Sequence, residues 1–195
     1  MNLQNKLKNP LYSIRAAYYG LALFMLLAIF IRPEGLIANH GFSYYSGYLN
    51  SGIPAVLGYF WLSFFTYQAA KALEKEKVAG LRYLVTSLKG ISLLVICIAV
   101  TPHNMYPQLH KVFGSALFVL QLWLTLVFAK QSRSRWLRLI LVIIELVSGI
   151  ISAYYVPKEH GFLLQTQLVF QFAFALVLID VLKSHRNLTH RKHLA

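Results

Sequence analysis

Six apolar segments, each close to twenty residues long, run through this sequence of 195 residues. An α-helix rises about 1.5 Å per residue, so about twenty residues cross the roughly 30 Å hydrocarbon core of a bilayer. A lone segment in lipid has to satisfy its own backbone hydrogen bonds, which favours helices over strands. We therefore predict an all-α polytopic membrane protein, a single domain over residues 1–195 with six transmembrane helices. The predicted spans are 14–31, 54–73, 84–101, 112–129, 136–155 and 162–182.

The basic residues predict how these helices are oriented. Sixteen of the 19 Lys and Arg residues lie on the side of the predicted membrane that holds both termini, and only Arg32, Lys111 and Lys158 lie on the other. Because loops rich in Lys and Arg stay in the cytoplasm, we expect both termini to be cytoplasmic, with the protein in the cell (plasma) membrane. The net charge of +13 is then expected to meet anionic lipid headgroups on the cytoplasmic side, and not nucleic acid.

Polar residues gather on the opposite, outer side. The stretch 101–111 contains two prolines and is expected to break the chain between two helices. The first outer loop is predicted over 32–53, and the last over 156–161. The three loops together supply the candidate ligand-binding residues, which are His40, His103, Asn104, His110, Glu159 and His160.

Several chemistries fit such a group. Imidazoles and a carboxylate close together can hold zinc, bind a phosphate headgroup or pass protons. The alternative is that each histidine is an interfacial residue with its own water or carbonyl partner. No metal-binding spacing such as His-Glu-x-x-His occurs, so we predict no cofactor and assign no catalytic residue. Zinc held by His103, His110 and His160 is one alternative, and a single outer haem is another.

Glu145 lies about nine residues into the fifth predicted span, where a charged carboxylate costs a few kcal/mol. We therefore expect it to face the interior of the bundle. Ser148, Gly149 and Ser152 follow it on the same helix face. A protonated, hydrogen-bonded carboxyl is the expected state, and an ion pair with Lys89 on the third span is the alternative. Lys89 can instead extend to the cytoplasmic headgroups.

Two more polar stripes are predicted inside the membrane. His110, Gly114, Gln121 and Thr125 share a face of the fourth span, and Gln167 and Gln171 are one turn apart on the sixth. These residues can line a cavity that reaches inward from the outer histidines, or they can join helices by hydrogen bonds. The candidate intramembrane polar residues are Lys89, Gln121, Glu145, Gln167 and Gln171.

Several short motifs carry a family resemblance. They are Gly41-Phe42-Ser43-Tyr44-Tyr45, residues 54–59, Thr101-Pro102 and residues 109–114. In these motifs, and in helix count and loop placement, the chain resembles the six-helix Frag1/DRAM/Sfk1-type membrane proteins and the related DUF998-type proteins. The resemblance implies a six-helix bundle with cytoplasmic termini and, for some members, a link to lipid-anchor remodelling. It supplies no catalytic residues.

A second resemblance is to the cytochrome b561 group, in which histidine pairs on successive helices ligate haem. The chain departs from that pattern, because its membrane-proximal histidines all lie at one face. The chain therefore lacks the histidine ligands that two haems would need.

The sequence thus favours a protein that binds a lipid headgroup or a small polar ligand in an outer-face pocket. A metal-dependent intramembrane lipid hydrolase is one alternative, with Glu159 or Glu34 as general base on a metal-bound water. A small proton-coupled transporter is the other, because three helices followed by three of opposite orientation permit an inverted repeat.

Overall fold

Long helices separated by short turns make up the chain. The structure is a computed structural model that describes residues 7–37, 40–76, 81–128, 135–158 and 162–192, and within these ranges it contains helices and no strand. The helices are α1 Pro10–Ile31, α2 Glu34–Ile37, α3 Phe42–Ser46, α4 Leu49–Lys75, α5 Arg82–Val100, α6 Pro107–Phe128, α7 Arg135–Tyr155 and α8 Leu163–Lys192. The predicted all-α class is therefore confirmed.

Five of the described helices are long and apolar enough to cross a membrane. They cover Pro10–Ile31, Arg82–Val100, Pro107–Phe128, Trp136–Lys158 and Leu163–His185. Large apolar side chains point outward from them, as at Phe30 and Ile150, which are 84% and 67% exposed. Such a surface is suited to lipid and not to water. The chain is therefore an all-α membrane protein.

The helix over the second predicted span is α4, which is 27 residues long and is not one of the five helices just named. It packs between α1 and α5, and its length exceeds what a membrane crossing needs. One of its buried polar side chains, Ser63, has a partner on the neighbouring helix. Ser63 Oγ and Ser92 Oγ lie 2.8 Å apart, and each hydroxyl also reaches the other residue's carbonyl oxygen, at 2.9 and 3.0 Å. This reciprocal contact joins α4 to α5.

The packing order of the helices places α6 beside the polar interior. α1 packs on α4, α4 on α5, and α7 on α8. α8 also contacts α1, while α6 contacts α5, α7 and α8. Gly20 on α1 gives Trp61 of α4 room to approach, and the indole Nε1 donates to Ala16 O at 2.8 Å. The core is therefore formed by α1, α4, α5 and α8, with α6 and α7 against one side.

The helix ends differ from the predicted spans for local reasons. Asn9 caps α1 by accepting from Leu11 N at 3.0 Å, so the helix begins at Pro10, four residues before the predicted start. α6 begins at Pro107 because proline suits the first helical position, and the break between α5 and α6 is therefore 101–106, shorter than the predicted 101–111.

Two further helices extend beyond their predicted spans. α4 begins at Leu49, five residues before the predicted start at Pro54. α8 continues to Lys192, so the described part of the basic tail extends the last helix. The apolar pattern marks where a helix lies in lipid, whereas the helix itself continues into polar sequence.

Candidate functional site

The first outer loop folds into an aromatic cap, which we define as residues 32–37 and 40–48. Arg32 Nε donates to the Tyr44 hydroxyl at 3.1 Å, and its guanidinium carbon lies 3.3 Å from the centre of the Tyr48 ring. This hydrogen bond to Tyr44 raises the pKa of Arg32 further above its ordinary value. The His40 ring stacks on Tyr44 with 4.4 Å between ring centres. His40 is thus part of this stacked group.

The cap is tied to the rest of the bundle at two points. Phe42 N donates to Gln167 Oε1 at 2.9 Å, which joins the cap to the outer end of α8. Asn104 Nδ2 donates to Gly47 O at 3.1 Å, which joins it to the turn before α6. Gln167 and Asn104, both predicted as candidate site residues, therefore hold the cap in place.

His103 and His110 form a pair at the start of α6. Their ring centres are 5.7 Å apart and the rings are nearly perpendicular. His110 Nδ1 lies 2.7 Å from Thr101 O. Because a carbonyl oxygen only accepts, Nδ1 carries the proton, and Nε2 of a neutral His110 is left as an acceptor. His110 is 9% exposed, so the pair lies at the edge of the bundle interior.

Gly114 on α6 is partly exposed and borders an open space one turn from His110. His110, Leu117, Gln121 and Thr125 are all buried and mark the inner face of the helix. Gly114 is on that same face, one turn from His110. Yet a Cβ added there would meet nothing within 4 Å beyond the helix's own backbone, which is true of no other described glycine. We call this space the α6 crevice.

A cluster of polar side chains lies deeper in the bundle. We call it the interior polar cluster, and its members are Tyr18, Gln121, Thr125, Glu145 and Gln171. Gln121 Nε2 donates to Gln171 Oε1 and Gln171 Nε2 donates to Gln121 Oε1, each at 3.0 Å. Two amides that satisfy each other in this way join α6 to α8.

Glu145 is the ionisable member of the interior polar cluster. It is fully buried, and Thr125 Oγ1 donates to its Oε2 at 2.6 Å. Its other oxygen, Oε1, is also buried and has no hydrogen-bond partner among the described residues. Tyr18 on α1 interacts electrostatically with Glu145 and lies beside Gln121. The cluster therefore gathers side chains from α1, α6, α7 and α8 around one carboxyl group.

Lys89 takes no part in this cluster. Its Nζ lies 2.8 and 2.9 Å from the two carboxylate oxygens of Glu74, and both side chains are well exposed. The alternative ion pair with Glu145 is therefore wrong. A nearby carboxylate at the end of α4 gives the ammonium group a partner at the surface, where it keeps its hydration.

The remaining polar residues of α7 bond within the helix pair. Ser152 Oγ donates to Thr166 Oγ1 of α8 at 2.8 Å, while Ser148 Oγ returns to its own helix at Ile144 O, 2.7 Å away. Gly149 makes room for the Phe118 and Phe170 rings, which stack with 4.6 Å between centres. These residues serve packing between α6, α7 and α8.

Not all predicted site residues can be placed. Glu159 and His160 lie outside the described residues. Within the described ranges, no three His, Cys, Asp or Glu side chains come together in a way that could hold a metal ion. The alternatives of zinc and of a metal-dependent hydrolase therefore gain no observation in their favour from the part of the chain that is described.

Sequence reasoning missed two polar residues within the apolar helices. Tyr18 lies among apolar neighbours in α1. It is far from Glu145 along the chain, so no local pattern predicts the interaction between them. Asp180 is a half-buried carboxyl in α8 whose Oδ2 has no partner among the described residues. A carboxyl inside an apolar span is itself a signal, so Asp180 was open to prediction.

Comparison with known proteins gives no further guide to this site. No protein-family model, curated protein or solved structure matches the chain. The resemblance to the Frag1/DRAM/Sfk1-type and DUF998-type proteins therefore stays a prediction. The function has to be argued from the α6 crevice and the interior polar cluster themselves.

Proposed function

We propose that this is a six-helix protein of the plasma membrane that binds a lipid headgroup or a small polar ligand from the outer face. The ligand enters the α6 crevice, between the histidine pair at its mouth and the Gln121 and Gln171 amides at its floor. The observation that carries the proposal is the open space beside Gly114 on an otherwise buried helix face.

The chemistry of the crevice fits a polar guest. His110 offers Nε2 at the mouth, and the His103 ring lies against it. Neutral imidazoles accept a hydrogen bond and protonated ones donate, so the pair can meet either a hydroxyl or a phosphate oxygen. The floor amides supply both donors and acceptors. A guest with several hydrogen-bonding groups is therefore matched better than an acyl chain.

The orientation of the bundle supports an outer site. With sixteen basic residues on the side of the termini, the positive-inside rule puts the aromatic cap and the histidine pair outside. α4 lies between α1 and α5, two helices of spanning type, and this position supports a sixth span at α4. The crevice is then reached from the outer leaflet or the outer aqueous phase.

Mass spectrometry of co-purified molecules tests this proposal. The protein is extracted in a mild detergent, and bound lipids and small molecules are identified for the wild type and for Gly114→Leu. We expect the leucine to enter the crevice, because a Cβ at this position meets no atom within 4 Å. A molecule bound by the wild type should then be lost or reduced about tenfold or more, which corresponds to about 1.4 kcal/mol of binding free energy.

Val112→Leu is the matched control, since Val112 lies on the same helix but is 60% exposed on its outer face. It should keep the full set of bound molecules. The double variant His103→Ala/His110→Ala should lose the same molecule as Gly114→Leu. If both crevice variants carry the wild-type set of molecules, the proposal is wrong.

A further inference from the structure

A second site lies deeper than the crevice, at Glu145. The side chain has no exposed surface, one oxygen accepts from Thr125, and the other has no partner among the described residues. An ionised carboxylate in hydrocarbon needs hydrogen-bond donors or a cation at both oxygens, and without them it is costly. An apolar side chain would pack at this position at a lower free-energy cost. A carboxyl group in a membrane span therefore points to function.

The described groups that face Glu145 supply no positive charge. α6 presents Thr125 and Gln121, α8 presents Gln171, and α1 presents Tyr18, which is the titratable side chain that interacts with it. The other described charged groups and histidines of these helices are distant from Glu145 along the chain or exposed. On α7, Arg138 is about two turns before Glu145, and on α8, Asp180, Lys183 and His185 are more than two turns beyond Gln171. On α6, His110 and Lys111 are about four turns before Thr125, and Arg15 on α1 is exposed.

We infer that Glu145 is a proton-binding site within the membrane. The arrangement seen here suits the neutral acid, with Thr125 as its hydrogen-bond partner among the described residues. Release of the proton leaves a carboxylate whose Oε1 then requires a donor. This inference goes beyond the proposed ligand binding and does not depend on it.

Gln121 is the side chain placed to supply that donor. It precedes Thr125 by one turn on the same face of α6, so its amide can turn toward the carboxyl. At present that amide is held by Gln171. Turning it to Glu145 would break the link between α6 and α8 at the floor of the crevice. Proton release and the opening of the crevice floor are thereby linked.

Labelling with a hydrophobic carbodiimide tests the inference. The reagent adds to a protonated carboxyl and rearranges to a stable N-acylurea, so it reports the neutral acid at a position that mass spectrometry identifies. The full-length protein in lipid bilayers is labelled over a series of pH values. We expect labelling of Glu145 that falls about tenfold for each pH unit above a single midpoint. Asp180→Asn should leave this labelling unchanged, and Glu145→Gln should remove it.

Gln121→Leu tests the donor. If Gln121 stabilises the carboxylate, its loss should move the labelling midpoint upward by about one to two pH units, the equivalent of one hydrogen bond to an ionised group. A midpoint that stays in place would contradict the role of Gln121. Absence of labelling at Glu145 at every pH, while exposed Glu74 is modified at low pH, would overturn the inference. Labelling of Glu145 in the wild type does not require a ligand in the crevice.

Discussion

Two glycines show how much a single position in this bundle depends on its neighbours. Gly20 faces the Trp61 ring, and a Cβ there would overlap the indole. Gly20→Ala should therefore push α1 away from α4 and lower the free energy of unfolding by about 1–3 kcal/mol, as overpacking does elsewhere. Thermal unfolding in detergent, followed by circular dichroism, measures the change.

Gly114→Ala is the control for this prediction. It makes the same chemical change in a helix, but into open space. Alanine loses less backbone entropy than glycine, so the variant should be as stable as the wild type or more stable by up to about 1 kcal/mol. Equal destabilisation by both substitutions would show that helix α1 does not depend on the space at Gly20.

Tyr45 in the aromatic cap predicts a response to alkaline pH. Its side chain is fully buried and its hydroxyl has no partner among the described residues. Burial, with the nearby Tyr44 and Glu34, raises the pKa of Tyr45 to about 12. The unfolded chain releases this proton more easily, at its ordinary value near 10.0. The associated stability is therefore complete below pH 10 and is lost as the pH rises toward 12.

Tyr45→Phe should remove the loss of stability that Tyr45 causes between pH 10 and pH 12. The phenyl ring keeps the packing and takes away a hydroxyl that makes no hydrogen bond, so stability at neutral pH should be unchanged or slightly higher. The measurement is unfolding at a series of pH values between 8 and 12, on the wild type and the variant. A parallel decline in both proteins would assign the alkaline response to other tyrosines.

Among the helices, α6 is joined to α8 by a polar contact, the paired amides of Gln121 and Gln171. Gln121→Leu or Gln171→Leu alone leaves the partner amide buried without its hydrogen bonds, so each should destabilise the protein. The double variant should recover much of the loss. We expect a coupling energy of about 0.6–1.7 kcal/mol from the double-mutant cycle, the range found for hydrogen bonds between membrane helices. Additive effects would contradict the direct pairing.

The helices themselves were predictable, because length and apolarity are constraints that each segment meets alone. The inward direction of Gln121, Thr125 and Glu145 was also predictable. Helical spacing puts polar residues on one face, and a polar face is too costly to expose to lipid. Their actual partners were not predictable, because a hydrogen bond across helices depends on how far each helix slides along its neighbour.

The contacts of the aromatic cap were even less predictable from the sequence. The sequence indicated an outer loop rich in tyrosine, and His40 was predicted to be a candidate ligand-binding residue. In the structure the His40 ring stacks on Tyr44, and Gln167, expected in the bundle, caps Phe42 N instead. Short helices of four or five residues leave no periodic pattern. The contacts that hold such segments come from distant parts of the chain, which a local pattern cannot show.

The whole bundle makes a prediction about orientation that can be tested directly. Replacing the single cysteine, Cys97, by Ala leaves a background into which one new cysteine is placed at a time. Met105→Cys marks the turn between α5 and α6, where Met105 is 69% exposed. Glu76→Cys marks the exposed end of α4. Right-side-out membrane vesicles are then treated with a membrane-impermeant maleimide.

If both termini are cytoplasmic and α4 spans the membrane, Met105→Cys should be labelled in sealed vesicles and Glu76→Cys only after the vesicles are opened with detergent. The reason is that α5 carries the chain across the bilayer between these two positions, with the basic residues at the Glu76 end. Cysteines at both ends of α4 distinguish a spanning helix from a surface helix, so Leu49→Cys, where Leu49 is 85% exposed, should behave as Met105→Cys does. Labelling of the cysteines at 49 and 76 from the same side would show that α4 does not cross the membrane, and the bundle would then have five spans with its termini on opposite sides.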